Sequence, residues 1–224
     1  MSMKVGVPKE ILDQEYRVAL TPAGVHALVG NGHEVFIETN AGVGSGIPDS
    51  QFVEAGAKIQ ETAKDIFNTS ELILKVKQPL PEECKMLKPN QILFTFIHLA
   101  ADKELAEYLC ESKATCIAYE TIEDEEGRLP LLIPMSEIAG RMSVQIGTHF
   151  LEKYKGGRGV LLGGVPGVEP AKVVIIGGGS VGLNAAKMAL GLNARVTILD
   201  KNLKRLRELD DYFHGRLETL YSTQ

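Results

Sequence analysis

A chain of 224 residues carrying 24 Lys+Arg against 29 Asp+Glu, a formal charge of -5, has length for one large domain or two small ones. With 44% hydrophobic and 24% charged residues it has globular composition, which excludes a disordered tail, a collagenous repeat and a small disulfide scaffold. The mildly acidic balance offers no basic face for a phosphate backbone, so nucleic acid is excluded as the main partner and small metabolites remain. Cys84, Cys110 and Cys116 form no CxxC pair and no metal-ligand cluster, and their odd number fits a reducing compartment. The first residues, MSMKVGVPKEIL, lack the apolar core of a signal peptide, and no run reaches membrane-spanning length. A soluble, cytoplasmic chain without a metal is expected.

Short β-branched runs alternate with helical patterns from the start: a strand at Lys4 to Val7, a helix opened by Thr21-Pro22, a strand at Glu34 to Ile37. Thr21 suits the N-cap, Pro22 the first helical position, and Gly30 and Gly32 the helix end. Further strands are predicted at Leu72 to Val76, Ile92 to Phe96 and Thr115 to Ala118. A helix carrying Leu105, Tyr108 and Leu109 lies between the last two. These runs are apolar nearly throughout, as a parallel sheet buried on both faces requires. Ser136 starts a long amphipathic helix in which Ile138, Met142, Ile146 and Phe150 recur on one face. The segment from Tyr154 to Pro170 is rich in Gly and Pro and reads either as a linker or as a loop that approaches a ligand. Residues 1–135 are therefore predicted as one domain, 136–170 as a connecting helix and Gly-rich segment, and 171–224 as the start of a second domain.

That second unit runs strand (Lys172 to Ile176), glycine turn, helix (Ser180 to Leu190), strand (Arg195 to Leu199), helix from Leu203, strand (Leu217 to Leu220). It is one βαβαβ half of a doubly wound fold, so an uncovered sheet edge and a truncated chain are expected. The fold class is α/β, with two Rossmann-like, doubly wound parallel-sheet domains of which the second is incomplete.

Gly177-Gly178-Gly179-Ser180-Val181-Gly182 has G-x-G-x-x-G spacing between strand and helix. Gly177 permits the tight turn, Gly179 lets the backbone approach a pyrophosphate, and Gly182 allows close helix-to-strand packing. The helix N-terminus then offers free N–H groups and a positive dipole end to the phosphates. Asp200, at the end of the next strand, can accept both ribose hydroxyls and would repel a 2′-phosphate, which favours NAD over NADP. A purely structural turn, or the glycine loop of a methyltransferase, is the competing reading. Three polar groups end apolar segments in the first unit: Arg17 in EYRVALTP, Lys77 in LILKVKQP and His98 in LFTFIHLA. Ligand sites in open parallel sheets form beyond the carboxyl ends of strands, so the three could face one crevice. The competing readings are exposed cations for Arg17 and Lys77, and a core histidine for His98.

MKVGVPKEI, EYRVALTPAGV, LKVKQP, ILFTFIHLA, IAYET, LPLLIPMSEIAGR and GGRGVLLGGVPGVEPAKVVIIGGGSVG together resemble the bacterial L-alanine dehydrogenases. The resemblance implies oxidative deamination of L-alanine to pyruvate and ammonia with NAD as hydride acceptor, and a homo-oligomer, hexameric in the family. By the same resemblance Arg17 takes the substrate carboxylate, Lys77 binds substrate, His98 is the acid/base group, Ser136, Ser180, Val181, Asp200, Arg205 and Ser222 touch the dinucleotide, and Met135 lies near the nicotinamide. A guanidinium grips a carboxylate through two parallel bonds, an ammonium stabilises a developing carbonyl oxygen, and an imidazole of ordinary pKa near 6.5 can take and give a proton. The NAD-binding subunit of proton-translocating transhydrogenase is the nearest alternative and resembles the chain around both strands, but lacks the lysine and histidine. Family members continue past residue 224 with a catalytic aspartate. The 224-residue chain alone is therefore expected to bind dinucleotide without turning over alanine.

Overall fold

The computed structural model describes residues 2–223, and the chain divides into two compact units, Met1–Gly127 and Arg128–Gln224. In the first, strand β1 (Lys4–Val7) leads to helix α1 (Pro22–Gly30). The Thr21 hydroxyl caps this helix by accepting the Gly24 N–H at 3.2 Å. Strand β2 (Glu34–Glu38) follows. Between residues 49 and 69, where the hydrophobic rhythm predicts no element, the chain forms helix α2 (Asp49–Glu54), strand β3 (Lys58–Gln60) and helix α3 (Ala63–Thr69). These elements are at most seven residues long, too short for periodicity to register. Strand β4 (Leu72–Leu74), the single-turn helix α4 (Pro81–Cys84), strand β5 (Ile92–Thr95), helix α5 (Lys103–Ser112) and strand β6 (Thr115–Ala118) complete the unit.

All six strands are parallel, in the order β3-β2-β1-β4-β5-β6. This is the doubly wound order, and the chain reverses direction across the sheet between β1 and β4, which is where such folds open a crevice. Alternate residues feed two cores, one on each face: Val35, Ile37 and Leu74 join one with Val5, Val7 and Phe52, while Phe36 and Ile73 join the other with Phe67 and Leu93.

The second unit contains helix α6 (Ile133–Leu151), strand β7 (Lys172–Ile176), helix α7 (Ser180–Gly191), strand β8 (Arg195–Asp200), helix α8 (Leu203–Phe213) and strand β9 (Glu218–Tyr221). Its sheet is parallel in the order β7-β8-β9, which leaves β7 as an outer strand with Val174 and Ile176 exposed, as the sequence leads one to expect. Two features could not be read from the pattern. The apolar stripe of α6, with Ile138, Met142, Ile146 and Phe150, is about half exposed, whereas Gly140 and Val144 are the buried positions. The helix packs on α7 through its small residues: a Cβ on Gly140 would meet the Val181 carbonyl, so only glycine permits the approach. The Gly/Pro-rich segment is no free linker, because Leu162 is buried in this unit's core, its carbonyl accepts the Ala171 N–H at 2.9 Å, and Val165 bridges Val168. Both α6 and this segment lie within the second unit.

Leu93→Ala in β5 should cost about 2–5 kcal/mol in urea unfolding, whereas Val53→Ser on the exposed side of α2 should stay within about 0.5 kcal/mol. Equal losses would contradict the packing described.

Candidate functional site

Parallel strands expose their last carbonyls and the N–H groups that follow them, and these groups need partners once the ladder ends. In the first unit the partners are mostly carboxylates. After β1 the Lys9 N–H donates to Glu38 at 2.8 Å. After β4 the Val76 N–H donates to Glu10 at 2.6 Å, and the Lys77 carbonyl accepts from the Thr95 hydroxyl at 2.8 Å. After β5 the Ile97 and His98 N–H groups both donate to Glu120, at 3.1 and 2.6 Å.

Arg17, Lys77 and His98 follow β1, β4 and β5, neighbouring strands with the reversal of strand order between the first two. The structure therefore brings all three to one end of one sheet. Arg17 is partly exposed, and Glu15 holds its guanidinium along one edge, with Nε to Oε1 at 2.7 Å and Nη2 to Oε2 at 2.6 Å. The Arg17 hydrogen bonds hold the Glu15 carboxyl below its ordinary range, with Lys77 contributing through space. A cavity of about 420 Å³ opens beside this pair, lined by Glu10, Glu15, Tyr16, Arg17 and Asn40 among others. Lys77 is half-buried and lies outside that lining.

His98 is not the core histidine that its apolar approach run allows. It is exposed, in the left-handed region at φ 54°, ψ 35°, with its ring stacked on Phe96 at 6.0 Å between centroids. Such a backbone costs a non-glycine residue on the order of 1 kcal/mol, and the Glu120 carboxylate on its N–H keeps it there. Phe96 packs edge-on against Tyr119, whose hydroxyl burial pushes up to about 12, with a smaller contribution from Glu10. Sequence reasoning missed Glu10, Glu15, Lys75, Glu83 and Glu120. The available signal was a charged residue inside an apolar run, Lys75 within LILKV, and acids directly flanking the singled-out segments.

In the second unit the glycine turn has the form its spacing predicts. Gly177 stands at φ +98°, and a Cβ on Gly182 would collide with the Gly177 carbonyl. Gly178, the unassigned middle residue, is closely approached by side chains, since a Cβ there would lie 2.6 Å from Leu209 and 3.2 Å from Asp200. No heavy atom would lie within 4 Å of a Cβ on Gly179, so the backbone there is open to a ligand. Asp200 accepts the Gly178 N–H at 2.7 Å and the Asn202 N–H at 2.8 Å, and Arg205 donates from Nε to the Gly178 carbonyl at 2.7 Å. Arg205 is thus held, unlike the exposed Lys201, Lys204 and Arg207 around it. Ser222 donates its N–H to the Asp200 carbonyl at 3.0 Å, beside the same carboxylate.

Ser136 lines a cavity of about 720 Å³ together with Gly177, Gly179, Ser180, Val181 and Gly182, bounded also by β7 and α6; Asp200, Arg205 and Ser222 lie outside its lining. Met135 precedes Ser136 on the first turn of α6. Among the described residues no His, Cys, Asp or Glu cluster could hold a metal, and no helix is long and apolar enough to cross a membrane.

Residues 6–139 match the family described as Alanine dehydrogenase/PNT, N-terminal domain, and residues 143–224 match its C-terminal domain. The chain belongs to this family. It is 59% identical over 98% of its length to an alanine dehydrogenase of Methanococcus maripaludis, and 57% identical over 98% to that of Bacillus subtilis. It covers 59% and 58% of those proteins, so it spans under two thirds of their length. A solved L-alanine dehydrogenase superposes with a TM-score of 0.93 at 56% identity, over 99% of this chain and 61% of that one. A transhydrogenase from Sinorhizobium meliloti gives 0.80 at 24% identity, over 97% and 64%, a likeness of fold alone.

The two backbone N–H bonds, Gly178 first, hold the Asp200 carboxyl below the ordinary aspartate range. A lowered folded value means that its support of the turn is present above the unfolded value of about 3.9 and is lost as pH falls through the folded one. Hydrogen-exchange protection of the Gly178 amide should therefore persist at mild acidity and drop only in stronger acid. Exchange at Ile97 and His98 should rise in Glu120→Ala and stay near wild type in Glu120→Gln, which keeps an acceptor.

Proposed function

We propose that this chain carries the substrate site and the adenosine half of the dinucleotide site of an NAD-dependent L-alanine dehydrogenase. Such an enzyme converts L-alanine to pyruvate and ammonia and catalyses the reverse amination. The observation that carries the reading is the placement of Arg17, Lys77 and His98 at the carboxyl ends of three neighbouring strands beside the reversal of strand order. The first unit is then the substrate domain and the second the nucleotide domain.

A guanidinium fixed in one plane by Glu15 suits a planar carboxylate, so Arg17 orients the alanine. The Lys77 ammonium stabilises negative charge developing on the carbonyl oxygen. Once the alanine Cα has lost its hydride, His98 takes a proton at an imidazole nitrogen from the water that attacks the resulting iminium carbon, and returns it to the leaving amine as the carbinolamine collapses to pyruvate and ammonia. The glycine turn fits a dinucleotide: the space around Gly179 admits a pyrophosphate, the free N–H groups opening α7 face it, and ionised Asp200 suits a ribose diol. NAD, when bound, supplies the hydride acceptor. Ser136, Ser180, Val181, Arg205 and Ser222 complete the contacts in this reading. Lys77 and His98 favour it over a transhydrogenase subunit, which performs no chemistry on an amino acid. A cytoplasmic location and a homo-oligomer belong to the same proposal; Cys84, Cys110 and Cys116, all unpaired, fit the first.

Calorimetry on the chain should show NAD binding more tightly than NADP, with the difference narrowed in Asp200→Ala. Tighter NADP binding would refute the cofactor assignment. In the complete gene product His98→Ala should lower kcat for alanine-dependent NADH formation by a factor on the order of 10² to 10⁴, and Arg17→Lys should chiefly raise the alanine KM. Wild-type kcat in His98→Ala at every pH would remove the histidine from the mechanism.

A further inference from the structure

Lys75 sits in the middle of the first unit with its side chain 1% exposed, and two glutamates close around it. Its Nζ donates to Glu10 Oε2 at 3.0 Å and to Glu83 Oε1 at 2.7 Å. The second oxygen of each carboxylate is also used: Glu10 Oε1 accepts the Val76 N–H at 2.6 Å, and Glu83 Oε2 accepts the Leu80 N–H at 2.9 Å. Buried ion clusters add little stability, and apolar residues of similar volume often replace them without loss. An apolar replacement here would fill the space but would leave one buried and one partly buried N–H group without acceptors.

What the cluster joins is three segments that flank the proposed substrate site. Glu10 belongs to the loop that carries Glu15 and Arg17, Lys75 and Val76 continue β4, and Glu83 lies in α4. Residues 77–79 run between the two pinned amides, so Lys77 is held in a short span whose ends are fixed to two carboxylates that share one ammonium. The Thr95 hydroxyl, itself buried, fixes the Lys77 carbonyl within that span. Glu10 carries this arrangement across to the Arg17 side, where it lines the cavity beside the guanidinium. Removing Glu10 cuts the Arg17 loop from the Lys77 span, while Glu83 alone still caps α4.

We propose that Glu10, bridged through Lys75 to Glu83, is a positioning residue that sets Lys77 and the Arg17 loop relative to one another. The proposal rests on the substrate roles of Lys77 and Arg17 for its consequence, but its geometry can be tested without any ligand.

The test compares wild type, Glu10→Leu, Glu10→Gln and Ile73→Val. The last is a core truncation in β4 outside the cluster, and serves as a control for general loosening. The first readout is the rate at which acetic anhydride acylates Lys77, followed by peptide mass spectrometry on the ligand-free chain. The second is pyruvate affinity by calorimetry. Glu10→Leu should change Lys77 acylation on the order of tenfold, as the released span alters the exposure of the amine. Pyruvate binding should weaken by a similar factor, with Ile73→Val leaving both unchanged. Glu10→Gln, which keeps an acceptor for Val76, should fall between wild type and Glu10→Leu. It provides the measurement if Glu10→Leu does not fold. Lys77 acylation unaltered in the folded Glu10 variants, or altered equally by Ile73→Val, overturns the proposal. If acylation responds while the wild-type chain binds no pyruvate, the positioning role stands and the substrate reading fails.

Discussion

The structure depends on what happens where a parallel strand stops. Each strand hands its next N–H groups out of the ladder, and a buried or half-buried N–H left without a partner costs about 1–3 kcal/mol. Here a carboxylate from a neighbouring element repeatedly takes that role. Glu38 at the end of β2 serves Lys9 after β1, Glu10 serves Val76 after β4, Glu120 serves Ile97 and His98 after β5, and Asp200 at the end of β8 serves Gly178 after β7. Charge-assisted bonds of this kind are shorter and stronger than neutral ones, so the loops at this end of each sheet start from fixed points.

One consequence is electrostatic. Acceptors that order the loops also gather negative charge at the end of the sheet that holds Arg17 and Lys77, and that charge has to be compensated within the protein. Glu15 is matched by Arg17, and Glu10 and Glu83 share Lys75; in the second unit's own sheet Asp200 lies near Arg205. The cations of the proposed substrate site are thus part of the same balance that shapes the backbone around them. Burial raises the Glu10 carboxyl above its ordinary range, and Lys75 works in the opposite direction, which shows how closely the two effects are set against each other. Buried thiols take no part: burial pushes Cys84 up to about 11, away from the reactive thiolate.

A second consequence concerns strain. His98 occupies a left-handed conformation that its own residue type does not favour, three residues beyond the end of β5. The Glu120 carboxylate and the stacked Phe96 ring hold backbone and side chain from two sides, so the cost is met by contacts that are local to the sheet end. In the second unit the equivalent restraint falls on Gly178, clasped between Asp200 on its N–H and Arg205 on its carbonyl.

The sequence by itself determined the strands from β4 onward to within two residues, the parallel α/β class, the glycine turn with Asp200, and the three polar groups at strand ends. Each of these rests on a local pattern: alternating apolar runs, a cap residue, or glycines at fixed spacing. It did not reveal α2, β3 and α3, whose few residues carry no period, nor the outward aspect of the α6 stripe, because periodicity marks an apolar face without saying what covers it. Only the tertiary structure decided that small residues, Gly140 above all, form the packed side of that helix. It also decided that Glu10, Glu83 and Glu120 serve as backbone acceptors. Their partners lie 66, 3 and 22–23 residues away in the chain, and of these only the short-range one falls within a spacing that a sequence pattern can show. The physical reason is that a hydrogen bond between distant segments is fixed by the order in which strands are laid side by side, and the residues that make it carry no mark of that order in themselves.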